Sequence, residues 1–138
     1  MKAKKLSIKR LLKKLRNKCY KMWRMRVLER WGGVCVVCGS TKLPNCHHIV
    51  PKEPPAFAAL RYDPINGIVM CPTHHKFGKF SAHKNPLWFV HFLRLKVPQT
   101  EIDYLVKKMN ECVEMVFDVP EYERIIKKLE ITEASQML

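Results

Sequence analysis

Between positions 8 and 31 apolar residues return at steps of three or four: Ile8, Leu12, Leu15, Cys19, Trp23, Val27 and Trp31. That spacing lines up one stripe of a single long helix, with Ser7 as its N-cap and Gly32-Gly33 as its stop. Near the other end, the apolar run Leu87–Leu95 predicts a second helix. Ile102, Leu105, Val106 and Met109 give one face to a third over Gln99–Asn110. Tyr122, Ile125, Ile126 and Leu129 do the same for a fourth over Glu121–Ile131, with Pro120 marking its start. There is no internal repeat and no low-complexity linker. A chain of 138 residues, 47% of them hydrophobic, can bury a core of its own, although one this small often needs a staple.

Charge divides the chain into three. Residues 1–31 form a basic amphipathic helix: 13 basic residues stand against one acidic residue, Glu29, within its first 30 positions. Residues 32–97 are mildly basic. Residues 98–138 form an acidic helical tail, with 9 acidic residues against 5 basic. The overall excess of +14 points to a polyanionic partner, nucleic acid or an acidic lipid surface. Cations crowded on one helix repel each other unless an anion relieves them, so the lead is read as a phosphate-backbone binder. A transit peptide would favour Arg and Ser over the eight Lys present. No run reaches the length of a membrane span and no secretory leader is visible, so the expected setting is intracellular, cytoplasmic and reducing. The acidic tail beside the basic lead suggests either intramolecular pairing or a protein partner.

The centre holds the chemistry. All six histidines (47, 48, 74, 75, 83 and 91) lie there, and two clusters have ligand spacing: Cys35-Val36-Val37-Cys38 and Cys71-Pro72-Thr73-His74. A two-residue gap lets a tight turn aim both donors at one ion, and two such knuckles complete a zinc tetrahedron of three thiolates and one imidazole. Gly39 supplies permissive backbone after the first pair. In a reducing compartment these thiols belong on a metal and not in disulfides. Between the knuckles stands Cys46-His47-His48-Ile49-Val50-Pro51. Adjacent histidines on an extended segment point to opposite sides, so one can grip a cation while the other, neutral, takes a proton from an attacking water. Such a base works only unprotonated, and cleavage should rise as pH climbs through the imidazole range. Cys46 is expected to be buried. His91, in Trp88-Phe89-Val90-His91-Phe92, is expected to be packed on a helix. Arg61 can fork onto phosphate oxygens or pair with Asp63.

The order Cys-x-x-Cys, His47-His48-Ile49, Asn66-Gly67-Ile68-Val69-Met70-Cys71, His74-His75 resembles the HNH endonucleases of the His-Me finger (ββα-metal) superfamily. The nearest likeness is to phage-type versions, which continue with a stretch like Ser81-Ala82-His83-Lys84-Asn85-Pro86. The resemblance runs from about Trp31 to Phe92 and implies an α+β fold: a zinc-stapled hairpin and helix, flanked here by the N-terminal basic helix and the C-terminal helices. It implies that His48 is the general base and that His47 and His75 bind the catalytic ion, Mg²⁺ or Mn²⁺. Asn66 would brace the loop and orient the base, while Cys35, Cys38, Cys71 and His74 would hold structural Zn²⁺. Relatives often place a further ligand four residues after the motif histidine. That position is Lys79 here, after Gly78, so the helix is expected to end early, with His83 as the candidate ligand from a loop and Asn85 as a second claimant. Lys52-Glu53-Pro54-Pro55 looks like the loop leaving the strand, since its prolines forbid regular pairing. The implied activity is hydrolysis of DNA to 3′-hydroxyl and 5′-phosphate ends, with a double-stranded partner expected to be held by the basic N-terminal helix and the core. The rival readings are a zinc-stabilised module that binds nucleic acid without cutting it, and a nuclease active only inside a phage packaging or recombination assembly.

Overall fold

In the computed structural model, which describes residues 2–136 and the side chains of 7–131, the basic lead is one helix, α1 (Lys2–Arg30), about 44 Å long. It begins ahead of Ser7, which lies inside the helix and not at its cap. It stops where expected: Gly32 and Gly33 both take positive φ, a conformation that other residues adopt at a cost, and Gly33 donates back to the Leu28 carbonyl. The stripe is buried only over its second half. Cys19, Trp23 and Val27 are sealed from solvent, Leu12, Leu15 and Trp31 are partly covered, and Ile8 is exposed.

Two short strands follow, β1 (Asn45–His48) and β2 (Gly67–Met70), paired antiparallel with His47 opposite Ile68 and His48 opposite Gly67. They are the whole of the sheet among the described residues. Between them the chain makes two 3₁₀ turns, Pro55–Leu60 and Pro64–Asn66, each opened by a proline whose fixed φ suits the first turn position. After β2 comes a single π-helical turn, Thr73–Phe77, which Gly78 closes by donating to the Thr73 carbonyl. The early end expected from Gly78 is therefore present. Three helices complete the fold: α2 (Pro86–Lys96), α3 (Gln99–Glu111) and α4 (Val119–Gln136). The mixed α+β architecture agrees with the sequence reading.

Three apolar clusters hold these elements together. α1 and α4 share the first, through Cys19, Trp23 and Val27 on one side and Tyr122, Ile125, Ile126 and Leu129 on the other. The acidic tail thus meets the basic lead mainly through oil, with Arg26 buried between them and donating to the Leu129 carbonyl at 3.2 Å. The Arg30–Glu101 pair adds one charge contact between α1 and α3. A second cluster joins β2 and α2 around Cys35 and Cys71, and a third joins Val50 and Leu60 to Leu105 of α3. α1 also locks onto the hairpin. The Trp31 indole donates to the Gly67 carbonyl at 2.9 Å and the Trp23 indole to the Asp63 carbonyl at 2.8 Å. Only glycine fits at 67, because a Cβ there would lie 2.3 Å from a Val27 methyl. No helix among the described residues is long and apolar enough to cross a membrane.

Candidate active site and metal centres

The two knuckles meet. Cys35, Cys38, Cys71 and His74 bring their donor atoms within 4.8 Å of one another. The Cys38–Cys71 sulfur separation is 3.8 Å, and His74 Nδ1 lies 3.7 Å from Cys35 Sγ and 3.3 Å from Cys71 Sγ. A tetrahedron with Zn–S bonds near 2.3 Å has edges of about 3.8 Å, so the donor set and its spacing fit zinc. The first knuckle closes on itself, with Gly39 at positive φ donating to the Cys35 carbonyl. Burial disfavours a charged Cys35 sulfur. Hydrogen bonds from the backbones of Cys71, Cys38 and Val37 outweigh that cost and hold its thiol below the usual range.

One residue on, His75 turns the other way. Its Nε2 lies 3.1 Å from His47 Nδ1 and 3.2 Å from His83 Nε2, forming a second cluster of three imidazoles. Metal–nitrogen bonds of 2.0–2.1 Å put adjacent donors about 3.0–3.4 Å apart, so this trio also fits an ion. The same π turn therefore serves both clusters, His74 toward the thiols and His75 toward the histidines. The loop carrying His83 is tied to that turn by two backbone bonds, Ala82 N–H to the His74 carbonyl and His83 N–H to the His75 carbonyl. Asn85 is not with the trio; its side chain caps α2 by accepting from the Trp88 N–H. Burial, followed by the charges of His75 and His83, lowers His47 to about 3. Burial, followed by His83 and Lys76, lowers His75 to about 4. Both rings are neutral at pH 7, as ligands must be.

His48 leaves β1 on the opposite face. Its ring lies flat against the Trp23 indole, with centroids 4.0 Å apart and planes 6° from parallel, and its Nε2 is 2.8 Å from the Arg61 carbonyl. A carbonyl only accepts, so Nε2 carries the proton and Nδ1 keeps its lone pair. Burial pulls the ring below its ordinary pKa, partly opposed by that carbonyl. Asn66, sealed from solvent, accepts from the Val50 N–H at 2.6 Å and donates to the carbonyls of Val50 and Leu60 at 3.0 Å each. It clamps the exit of β1 to the segment that presents the Arg61 carbonyl.

Arg61 does not pair with Asp63. Its Nη2 donates to the Lys52 carbonyl at 2.9 Å and its guanidinium lies over the Phe117 ring. Asp63 instead accepts from Tyr104 Oη and the Ile65 N–H. Cys46 is half-buried, its thiol donating to the Arg24 carbonyl. His91 corrects an expectation: it stands exposed on α2, because Phe89, Phe92 and Leu93 already fill the buried face.

Sequence reasoning placed Trp23 only in a core stripe, and no pattern in the chain tied it to His48. The side chains that line a cavity of about 400 Å³ beside His48, among them Arg16, Asn17, Tyr20 and Lys52, were likewise not singled out. Their one signal was helical spacing, since Arg16, Tyr20 and Trp23 stand at i, i+4 and i+7.

No curated protein and no solved structure matches the chain. Residues 35–81 match the HNH endonuclease family, a span that holds all four thiol–imidazole donors together with His47, His48, Asn66 and His75. That segment, about a third of the chain, is similar to the HNH endonucleases.

Proposed function

We propose that the protein hydrolyses DNA phosphodiester bonds with His48 as general base. The match of residues 35–81 to the HNH endonuclease family supports this at the level of class. The observation that carries it is the pair of neighbouring imidazoles on opposite faces of β1, His47 among metal donors and His48 clamped with one nitrogen unprotonated. His47, His75 and His83 would hold the divalent ion, which when bound supplies Lewis-acid charge to the phosphate and the departing 3′ oxygen. The trio contains no carboxylate, and imidazole suits transition ions better than Mg²⁺, so Mn²⁺ is favoured over Mg²⁺. His48 Nδ1 takes the proton of the attacking water, while the Arg61 carbonyl fixes the tautomer and Trp23 fixes the ring plane. Asn66 acts through the backbone it clamps. Arg61 would offset charge on the scissile phosphate. Cys35, Cys38, Cys71 and His74 would hold structural zinc and take no part in the chemistry.

In this reading residues 32–97 are the nuclease core, the segment 1–31 that contains α1 is both its wall and its basic contact with duplex DNA, and α4 of the segment 98–138 buttresses α1. The test is plasmid nicking with Mn²⁺ and with Mg²⁺, by the wild type and by His48→Ala. Loss of about 10²- to 10⁴-fold in rate at unchanged melting temperature and zinc content is expected. A wild type that never nicks under any divalent ion would leave the binding module as the better account. Equal cutting by His48→Ala would remove the base assignment alone.

A further inference from the structure

The cavity beside His48 is half built from the N-terminal helix. Arg16, Asn17 and Tyr20 come from α1, and Lys52, Glu53 and Arg61 from the loop leaving β1 and the turn before β2. Three permanent cations face one carboxylate, and that carboxylate, Glu53, is 84% exposed and only 4.0 Å-paired with Lys52. Arg16 has no carboxylate partner among the described residues, and Arg61 Nε is buried without a hydrogen-bond partner. The Lys52 ammonium sits 5.7 Å from the Tyr20 ring centre, bridging helix and loop across the mouth. Tyr20, 41% exposed, leans on Trp23, which also stacks on His48. The metal-donor trio does not line this space.

From this we infer that the cavity seats a second phosphate of the DNA strand, the one flanking the scissile phosphate, through Arg16 and Lys52. The inference rests on the proposed nuclease reading and deepens it: α1 becomes a built part of substrate recognition beside the base, not a diffuse basic arm. Asn17 and the Tyr20 hydroxyl offer neutral partners for phosphate or sugar oxygens. Guanidinium and ammonium together suit a phosphate, which accepts at several oxygens.

The test separates binding from cutting. Affinity of the full zinc-loaded chain for a short fluorescein-labelled DNA duplex is read by anisotropy with no Mg²⁺ or Mn²⁺ added. Arg16→Ala combined with Lys52→Ala should weaken binding about tenfold and reduce the slope of log affinity against log salt by about 1. Lys13→Ala, an exposed cation elsewhere on α1, should do distinctly less. Single methylphosphonates, which lack the charge, are then walked along one strand. One position should weaken the wild type and add nothing to the loss in the double variant. A double variant no weaker than Lys13→Ala, or methylphosphonate losses that stay additive at every position, would overturn the seat. Melting curves guard against misfolding, and both substituted side chains are exposed. Because no cleavage is measured, failure of the base assignment leaves this result standing, and normal nicking with an indifferent double variant removes the seat alone.

Discussion

The two donor clusters meet at adjacent residues, His74 and His75, yet they differ in build. The thiol cluster is closed: four donors surround one point, Cys35 and Cys71 are buried, and three of the four donors are soft sulfur. The imidazole cluster is open: it has three donors, His83 stands at the surface, and a bound ion would keep positions for water and phosphate. One π turn thus supplies a donor to the closed cluster and a donor to the open one. The geometry of the second is tied to the first, because that turn and the two backbone bonds to it help set where His75 and His83 stand relative to His47.

Breaking the staple should therefore have the largest effect. Cys38 is exposed, so Cys38→Ala removes a ligand without opening a cavity. We expect the melting temperature to fall by about 10 °C or more, with zinc lost stoichiometrically in a chelator colour assay. An unchanged melt would show that the four donors do not carry a structural ion. The face of β1 that touches neither cluster should respond differently. Trp23→Leu should destabilise by about 2–4 kcal/mol in denaturant unfolding, since a buried ring and its hydrogen bond to the Asp63 carbonyl are lost. It should also lower kcat with little change in KM while zinc stays bound. Trp23→Phe, which keeps a ring against His48, should recover much of the rate. If Phe and Leu variants cut alike, the stack is structural only. The smallest effect should come from the open edge of the trio. His83→Ala should weaken Mn²⁺ binding by about tenfold in calorimetry and leave the melt alone, and His75→Ala should weaken it more. Equal losses would mean that exposure does not rank these ligands.

Arg61 shows how local reading stops short. Its neighbour Asp63 is two residues away, and pairing was a natural option. In the fold Asp63 is claimed by Tyr104 from α3, while Arg61 lies over Phe117 from the segment before α4. Neither partner is near in the chain. His91 fails for the related reason that an apolar run has a buried side, and which side depends on what packs there. Ser7 fails because helix α1 gains its first turns without a cap at that position.

Ligand spacing and helical period were legible in the chain because both are short-range: a two-residue knuckle can close only on a nearby ion, and a stripe at steps of three and four can only be one face of a helix. The opposed directions of His47 and His48 follow in the same way from the alternation of an extended strand. What α1 touches was decided elsewhere. Seating Trp23 flat on His48 requires the bare backbone of Gly67, the carbonyl of Asp63 and the apolar face of α4 to arrive together, and contacts separated by 40 to 103 residues leave no periodic trace in a single sequence.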